Sequence, residues 1–302
     1  MSGPAWVGAL DIGGTHARLA MQPLGGQPCF FEAPGFTLLQ NGPAGAAQRC
    51  AALLAEPMAA LGVSPAGCRA LCCGAAGVDT EADRQAYRRL LAGLGFAPER
   101  ILVYNDCELL LAALGRPALL VAAGTGSMAL ALGADGQFYR CGGWGFLTSD
   151  EGSACQLALV GLACAVRAWD GAGGATSLTG LFEAEGIAGP AQAEALARCA
   201  LTDKSRLAAL APLVLRAAQQ GDGPAARLVQ QAARSLADQA LAAARKASLT
   251  APPLMLWGSL LTKSPVLRAP LAELLRREAG AHPLPPGPTA LEAALAIAIS
   301  NT

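Results

Sequence analysis

The sequence is poor in several features that usually announce a function. It has two histidines, His16 and His282, and neither stands near a group of cysteines, so a structural zinc site is not expected. No block of like charge occurs, and the 22 Lys and Arg balance 22 Asp and Glu, which argues against a nucleic-acid partner or an anionic membrane surface. No G-x-x-x-x-G-K-[ST] segment appears, so any nucleotide must be held by something other than a P-loop. The longest apolar stretch, Ala154 to Trp169, is interrupted by Gln156 and Arg167 and does not read as a bilayer span. None of the 10 cysteines forms a C-x-x-C pair, and no basic leader precedes them. They are expected to be reduced core residues of a cytoplasmic protein that binds a small molecule.

What the sequence does contain is enough chain for two domains, at 302 residues with 53% hydrophobic. The junction is expected at Gly115-Arg116-Pro117, giving an N-terminal domain over 1–117 and a larger C-terminal domain over 118–302, the last helix free to pack back on the first. A ligand cleft between two such domains follows naturally. Strands alternate with helices, which argues for mixed sheets flanked by helices.

The stretch that organises the rest is Trp6 to Ala20. Two short apolar runs, Val7 to Leu10 and Ala17 to Met21, flank Gly13-Gly14, which can take positive φ, so a hairpin is expected. Asp11 enters its turn and Thr15 leaves it. Consecutive N–H groups beside a hydroxyl can cradle a phosphate, and a carboxylate at the strand end can hold the accompanying metal. The pattern returns after the junction: Leu119 to Ala123, then Gly124-Thr125-Gly126-Ser127, then Met128 to Leu132. Two such hairpins could grip a triphosphate from opposite sides.

Between the two copies, Ile101 to Tyr104 reads as a strand with Asn105-Asp106 at its carboxyl end, where open α/β sheets keep their active groups. Asp106 is either a base for a substrate hydroxyl or a plain cap for the helix from Cys107 to Leu114. Asn41 is expected on a loop ahead of a helix from about Ala44 to Leu61. Later comes Gly142-Gly143-Trp144-Gly145, followed by Asp150-Glu151-Gly152-Ser153 and a helix to Trp169; an indole and acids on a glycine-rich loop suit a sugar. Residues 175–247 read as nearly all helical, without evident chemistry. Pro252 to Trp257 reads as a strand ending in Gly258-Ser259, a turn that lets backbone approach a flat base.

Taken in order, Asp11-Ile12-Gly13-Gly14-Thr15, Asn105-Asp106, Gly124-Thr125-Gly126-Ser127, Gly142-Gly143-Trp144-Gly145 with Asp150-Glu151-Gly152-Ser153, and Trp257-Gly258-Ser259 resemble the N-acetylglucosamine kinase branch of the BadF/BadG/BcrA/BcrD-type ATPases, within the sugar kinase and actin-like ATPase superfamily. The resemblance implies an α/β, two-domain actin-like ATPase (ribonuclease H-like) fold with an interdomain cleft. It also implies ATP with magnesium, phosphate transfer to the 6-hydroxyl of an amino sugar, and a homodimer. Carried over, Asp106 is the catalytic base, and Asp11 lies by the metal, through water. Gly13, Gly14, Thr15, Gly124, Thr125, Gly126 and Ser127 hold the phosphates, with Gly258 and Ser259 near the adenosine. Asn41, Asn105, Asp106, Trp144, Gly145 and Asp150 face the sugar. His16 stands where this branch commonly has lysine, and Ser149 where glycine is frequent.

Three other readings compete. A kinase for glucosamine or N-acetylmuramic acid would keep the machinery and change the pocket. An iron–sulfur ATPase activator of a dehydratase would need exposed thiolates, whereas Cys72 and Cys73 are flanked by apolar residues. A sugar-responsive repressor would need a DNA-binding segment, and the first strand begins by Trp6.

Overall fold

The computed structural model describes residues 4–302, and the chain resolves into two compact units. The first unit runs to Gly115 and takes back Gly287–Thr302; the second is Arg116–Pro286.

In the first unit, β1 (Trp6–Ile12), β2 (His16–Pro23) and β3 (Cys29–Pro34) form an antiparallel meander. Then follow α1 (Leu38–Leu61), β4 (Cys68–Ala75), α2 (Glu81–Gly93), β5 (Ile101–Asn105) and α3 (Asp106–Leu114). The sheet order is β3-β2-β1-β4-β5, with β4 parallel to both β1 and β5. Strand β1 is buried along nearly its whole length, as expected for a central strand covered on both faces. Trp6 lies under this sheet, edge-on to Phe96 at 6.0 Å, with its indole N–H donating to Ser64 O at 2.8 Å.

The second unit repeats this plan. β6 (Ala118–Ala123), β7 (Ser127–Leu132) and β8 (Phe138–Gly142) form a second meander, followed by α4 (Ala154–Trp169), α5 (Leu178–Glu183), α6 (Pro190–Cys199), α7 (Ser205–Ala208), α8 (Ala211–Gln219) and α9 (Gly223–Lys246). Next come β9 (Pro253–Trp257), α10 (Ser259–Lys263), α11 (Pro265–Ala279) and β10 (His282–Pro283). The order is β10-β9-β6-β7-β8, with β9 parallel to β6. Helix α9 packs on β7, β8, α8 and α11, and its buried face is mostly alanine, which lets the backbones approach closely. The final helix, α12 (Ala290–Ser300), starts from a Thr289–Glu292 capping box and packs on β1, β4 and α3.

Three expectations change. Strand β8 went unseen because its half-buried residues show no apolar alternation. Asn41 is not in a loop: α1 begins at Leu38 under a Thr37 cap, and Gly42, left-handed at φ 64°, kinks the helix just after Asn41. Gly13 and Gly14 are not left-handed either. In the first turn a Cβ on Gly13 would meet the His16 backbone O at 3.1 Å, while one on Gly14 would meet only the flexible end of Gln40, Nε2 at 2.9 Å.

Candidate active site

In the first unit, β1 carries Asp11 to the mouth of the first turn, and the turn closes through Gly13 N–H donating to His16 O at 2.9 Å. Gly35 N–H donates to Thr15 O at 2.9 Å and braces it from the side, leaving Gly14 and Thr15 exposed. Asp11 pairs across the hairpin with Arg18 Nη1 at 3.6 Å; burial raises its pKa and Arg18 opposes that. His16, at the position expected for lysine, pairs with Glu32 at 2.8 Å and so belongs to the sheet surface.

Asp106 is not the cap of α3. That role falls to Asn105, whose Oδ1 accepts from Cys107 N–H at 2.9 Å, while Glu108 Oε2 accepts from Asn105 N–H at 3.0 Å. Asp106 is therefore the first residue of the helix, and its Oδ1 shares the Cys107 N–H at 3.0 Å. Burial, and after it the carboxylates of Asp11 and Asp79, push its pKa above the ordinary value, against hydrogen bonding from Cys107 N–H. Glu108 is held in turn by Arg84, which donates from Nη2 at 2.7 Å and also bonds Val103 O at 3.2 Å. Asn41 Oδ1 accepts from Thr37 N–H at 3.1 Å.

In the second unit the turn Gly124–Gly126 rests on the start of α4: Ala154 N–H donates to Gly124 O at 2.8 Å. Thr125 reaches the wall of a cavity of about 670 Å³, which Ser205, Arg216, Ser259 and Lys263 also line. No acid lines it. Gly258 is left-handed at φ 91°, and a Cβ there would collide with the Ala123 backbone, so β6 and β9 end side by side with Gly124 and Ser259 close together. Ser127 turns inward, donating to Glu151 O at 2.8 Å. Asp150 is 3% exposed, pairs with Lys204 Nζ at 3.4 Å, and lies beneath Gly126, where a Cβ would meet its Oδ2 at 3.0 Å. Glu151 accepts from Gln239 Nε2 at 2.9 Å. By contrast Trp144 is 64% exposed, and Gly145 is left-handed at φ 108°.

The profile of the BadF/BadG/BcrA/BcrD ATPase family matches residues 10–295. The chain belongs to this family. It is 31% identical over 193 residues to the N-acetylmuramic acid/N-acetylglucosamine kinase of Clostridium acetobutylicum, a match that spans 61% of this chain and 61% of that relative. Among solved structures it is similar to a Chromobacterium violaceum protein provisionally assigned as an N-acetylglucosamine kinase, with 27% identity, TM-score 0.76, 97% of this chain and 99% of that one covered. A Porphyromonas gingivalis protein with the same provisional assignment shares the fold at TM-score 0.71 and 18% identity, covering 98% and 99% of the two chains. The architecture is that of the actin-like ATPase fold.

A magnesium ion accompanying ATP would find suitable donors in this BadF/BadG/BcrA/BcrD-family chain. Among the described residues no cluster of three or more His, Cys, Asp or Glu forms a protein-only cage. Magnesium asks for less, namely one or two carboxylates with phosphate and water making up the rest. Asp11, partly buried near the charge of Asp106, fits that requirement because a dication offsets the repulsion between them. The adjacent cysteines lie inside β4, with the Cys72 thiol pushed up to about 12 by burial, which is the opposite of a cluster-ligating environment. Sequence reasoning missed Arg84, Glu108, Arg140, Lys204 and Gln239. Only Glu108 carried a local signal, because Asn105-x-x-Glu108 is a capping-box pattern.

Proposed function

We propose that this chain transfers the terminal phosphoryl group of ATP to the 6-hydroxyl of an amino sugar, with N-acetylglucosamine the first substrate to test. The observation that carries this reading is Asp106: it opens α3 directly after the Asn105 cap, and burial and Asp11 raise its affinity for a proton. Such a carboxylate suits the task of a base toward a hydroxyl. In the proposed reaction the sugar oxygen forms a bond to the terminal phosphorus while its proton passes to Asp106. The bond from that phosphorus to the bridging oxygen breaks, and ADP leaves with the electron pair.

Thr15 and the turn Gly13-Gly14, with Gly124, Thr125 and Gly126, are proposed to hold the phosphates, and Ser127 to brace the second turn from inside. Gly258 and Ser259 would meet the adenosine beside the cavity, whose cations Arg216 and Lys263 suit an anionic ligand. Asp11 would hold the magnesium ion, which when bound supplies charge neutralisation at the phosphates. Asn41, Asn105, Trp144 and Gly145 are proposed to face the sugar, and Asp150 to reach it by exchanging Lys204 for a hydroxyl. Among the described residues no helix is long and apolar enough to cross a membrane, and a cytoplasmic homodimer completes the reading.

One observation favours a second substrate: the Clostridium relative is named for N-acetylmuramic acid as well as N-acetylglucosamine. The test is ADP release with Mg-ATP against N-acetylglucosamine, N-acetylmuramic acid, glucosamine, N-acetylmannosamine, glucose and no sugar. Release that depends on an acetamido sugar is expected. A preference for glucosamine would keep the machinery and replace the substrate, and equal release without sugar would make the chain an ATPase instead.

A further inference from the structure

Arg140 sits on β8, two residues before the glycine-rich loop, and its side chain folds back along that loop rather than out to solvent. Its Nε donates to Gly142 O at 3.0 Å and its Nη2 donates to Gly143 O. Its guanidinium carbon stands 4.3 Å from the centre of the Trp144 ring. One planar group therefore bridges two consecutive carbonyls and covers one face of the indole, a combination that suits guanidinium and not ammonium. The backbone leaves room for nothing else. Gly142 and Gly143 are both left-handed, at φ 78° and 77°, and a Cβ on Gly143 would lie 2.8 Å from Arg140 Nη2 and 2.9 Å from Met128 Cβ.

The far side of the loop is tied down as well. Trp144 N–H donates to Ser149 Oγ at 2.8 Å, Thr148 Oγ1 donates to Trp144 O at 3.1 Å, and Ser149 N–H donates to Gly145 O at 2.9 Å. The indole is nevertheless 64% exposed. A large ring held by its own backbone, backed by a cation on one face and open to solvent otherwise, is poised to stack on a flat apolar surface such as one face of a pyranose.

We infer that Arg140 is a positioning residue for sugar recognition: it clamps the Gly142-Gly143 backbone and backs Trp144 as a stacking platform. This rests on the amino-sugar kinase reading above, with Trp144 as the sugar contact. Arg140 itself need not touch the substrate.

The test uses the full chain, N-acetylglucosamine as the probe, and the variants Arg140→Met and Arg140→Lys. Arg140→Met is expected to raise the KM for sugar roughly five- to twenty-fold while the KM for ATP stays within about two-fold, because only the platform is disturbed. Arg140→Lys keeps the charge but cannot bridge two carbonyls in one plane, so it should recover less than half of that loss. Acrylamide quenching of Trp144 emission, isolated by subtracting a Trp144→Phe reference, should increase in Arg140→Met. An unchanged sugar KM, an equal rise in both KM values, or full recovery with lysine would overturn the clamp. If the wild-type chain phosphorylates no sugar, the kinase reading fails. Quenching then still decides the clamp, since an accessibility that Arg140→Met leaves unaltered would remove it.

Discussion

In the first unit the turn Gly13–Thr15 joins β1 to β2, and in the second the turn Gly124–Gly126 joins β6 to β7, the corresponding step in the same strand order. The two copies are braced by different means. The first leans on backbone, through Gly35 N–H to Thr15 O, and keeps its acids near the turn, Asp11 on β1 and Asp106 at the end of β5. The second leans on side chains, with Asp150 beneath Gly126 and Ser127 tied to Glu151 O; Asp150 pairs there with Lys204, and the unit's cavity is lined by Arg216 and Lys263. On the proposed reading, one copy of this shared strand plan would serve proton transfer and metal, and the other an anionic ligand. Motif symmetry in the sequence does not carry over into chemical symmetry.

The strongest way to sharpen this comparison is to place a methyl group in each unit. Gly258→Ala adds a left-handed alanine and drives its Cβ into the Ala123 backbone, so it should cost about 2–4 kcal/mol and appear as a lowered melting temperature with weakened ATP binding. Gly14→Ala meets only the flexible amide of Gln40, without a left-handed φ, and should cost under about 1 kcal/mol. Equal losses in calorimetry would break the contrast.

The second comparison sets the two acid supports against each other. Arg84→Met removes the partner that holds Glu108 against Asn105 N–H, and with it the fixed entry of α3; kcat should fall about 10- to 100-fold with both KM values little changed. A large effect on KM for ATP and none on kcat would contradict this role. In the second unit, Lys204→Met leaves Asp150 buried without its cation. It should cost about 1–2 kcal/mol, less than a fully buried pair because Lys204 is 39% exposed, and Asp150→Asn on top of it should restore most of the loss in denaturant titration.

The smallest effect is one of sign. An acid whose pKa is raised on folding binds more protons in the native state, so stability falls as pH rises from the ordinary aspartate value through the raised one. The ionised Asp106 therefore costs stability at neutral pH, chiefly through burial. Asp106→Asn should melt higher than wild type at pH 7, and the gain should vanish below the ordinary carboxylate pKa. A lower melting temperature at pH 7 would show that the carboxylate is stabilising, against the burial argument.

Much of the scaffold was legible because it depends on local pattern. The hairpin around Gly13-Gly14, the second hairpin around Gly124-Thr125-Gly126 and the helix ending at Trp169 all appear close to where apolar spacing puts them. Expectations failed where two local signals competed. Asn105 and Asp106 can each cap α3, and the tie is broken by Glu108, three residues after Asn105, which Arg84 on α2 secures. Asn41 read as loop because Gly42-Pro43 looks like a boundary, yet the Thr37 cap starts a helical turn ahead of it. The supports that depend on tertiary contact could not be read at all. Lys204 and Asp150 are far apart in sequence, as are Gln239 and Glu151, and Arg140, on a strand the sequence did not reveal, carries no local signal of its contact with Trp144.

The most direct test of the central claim is Asp106→Asn in two assays: steady-state ADP release with N-acetylglucosamine, and ATP binding by calorimetry. The account predicts that turnover falls by about 10²- to 10⁴-fold while ATP affinity stays within a few-fold of wild type. Turnover near the wild-type rate would contradict Asp106 as the base.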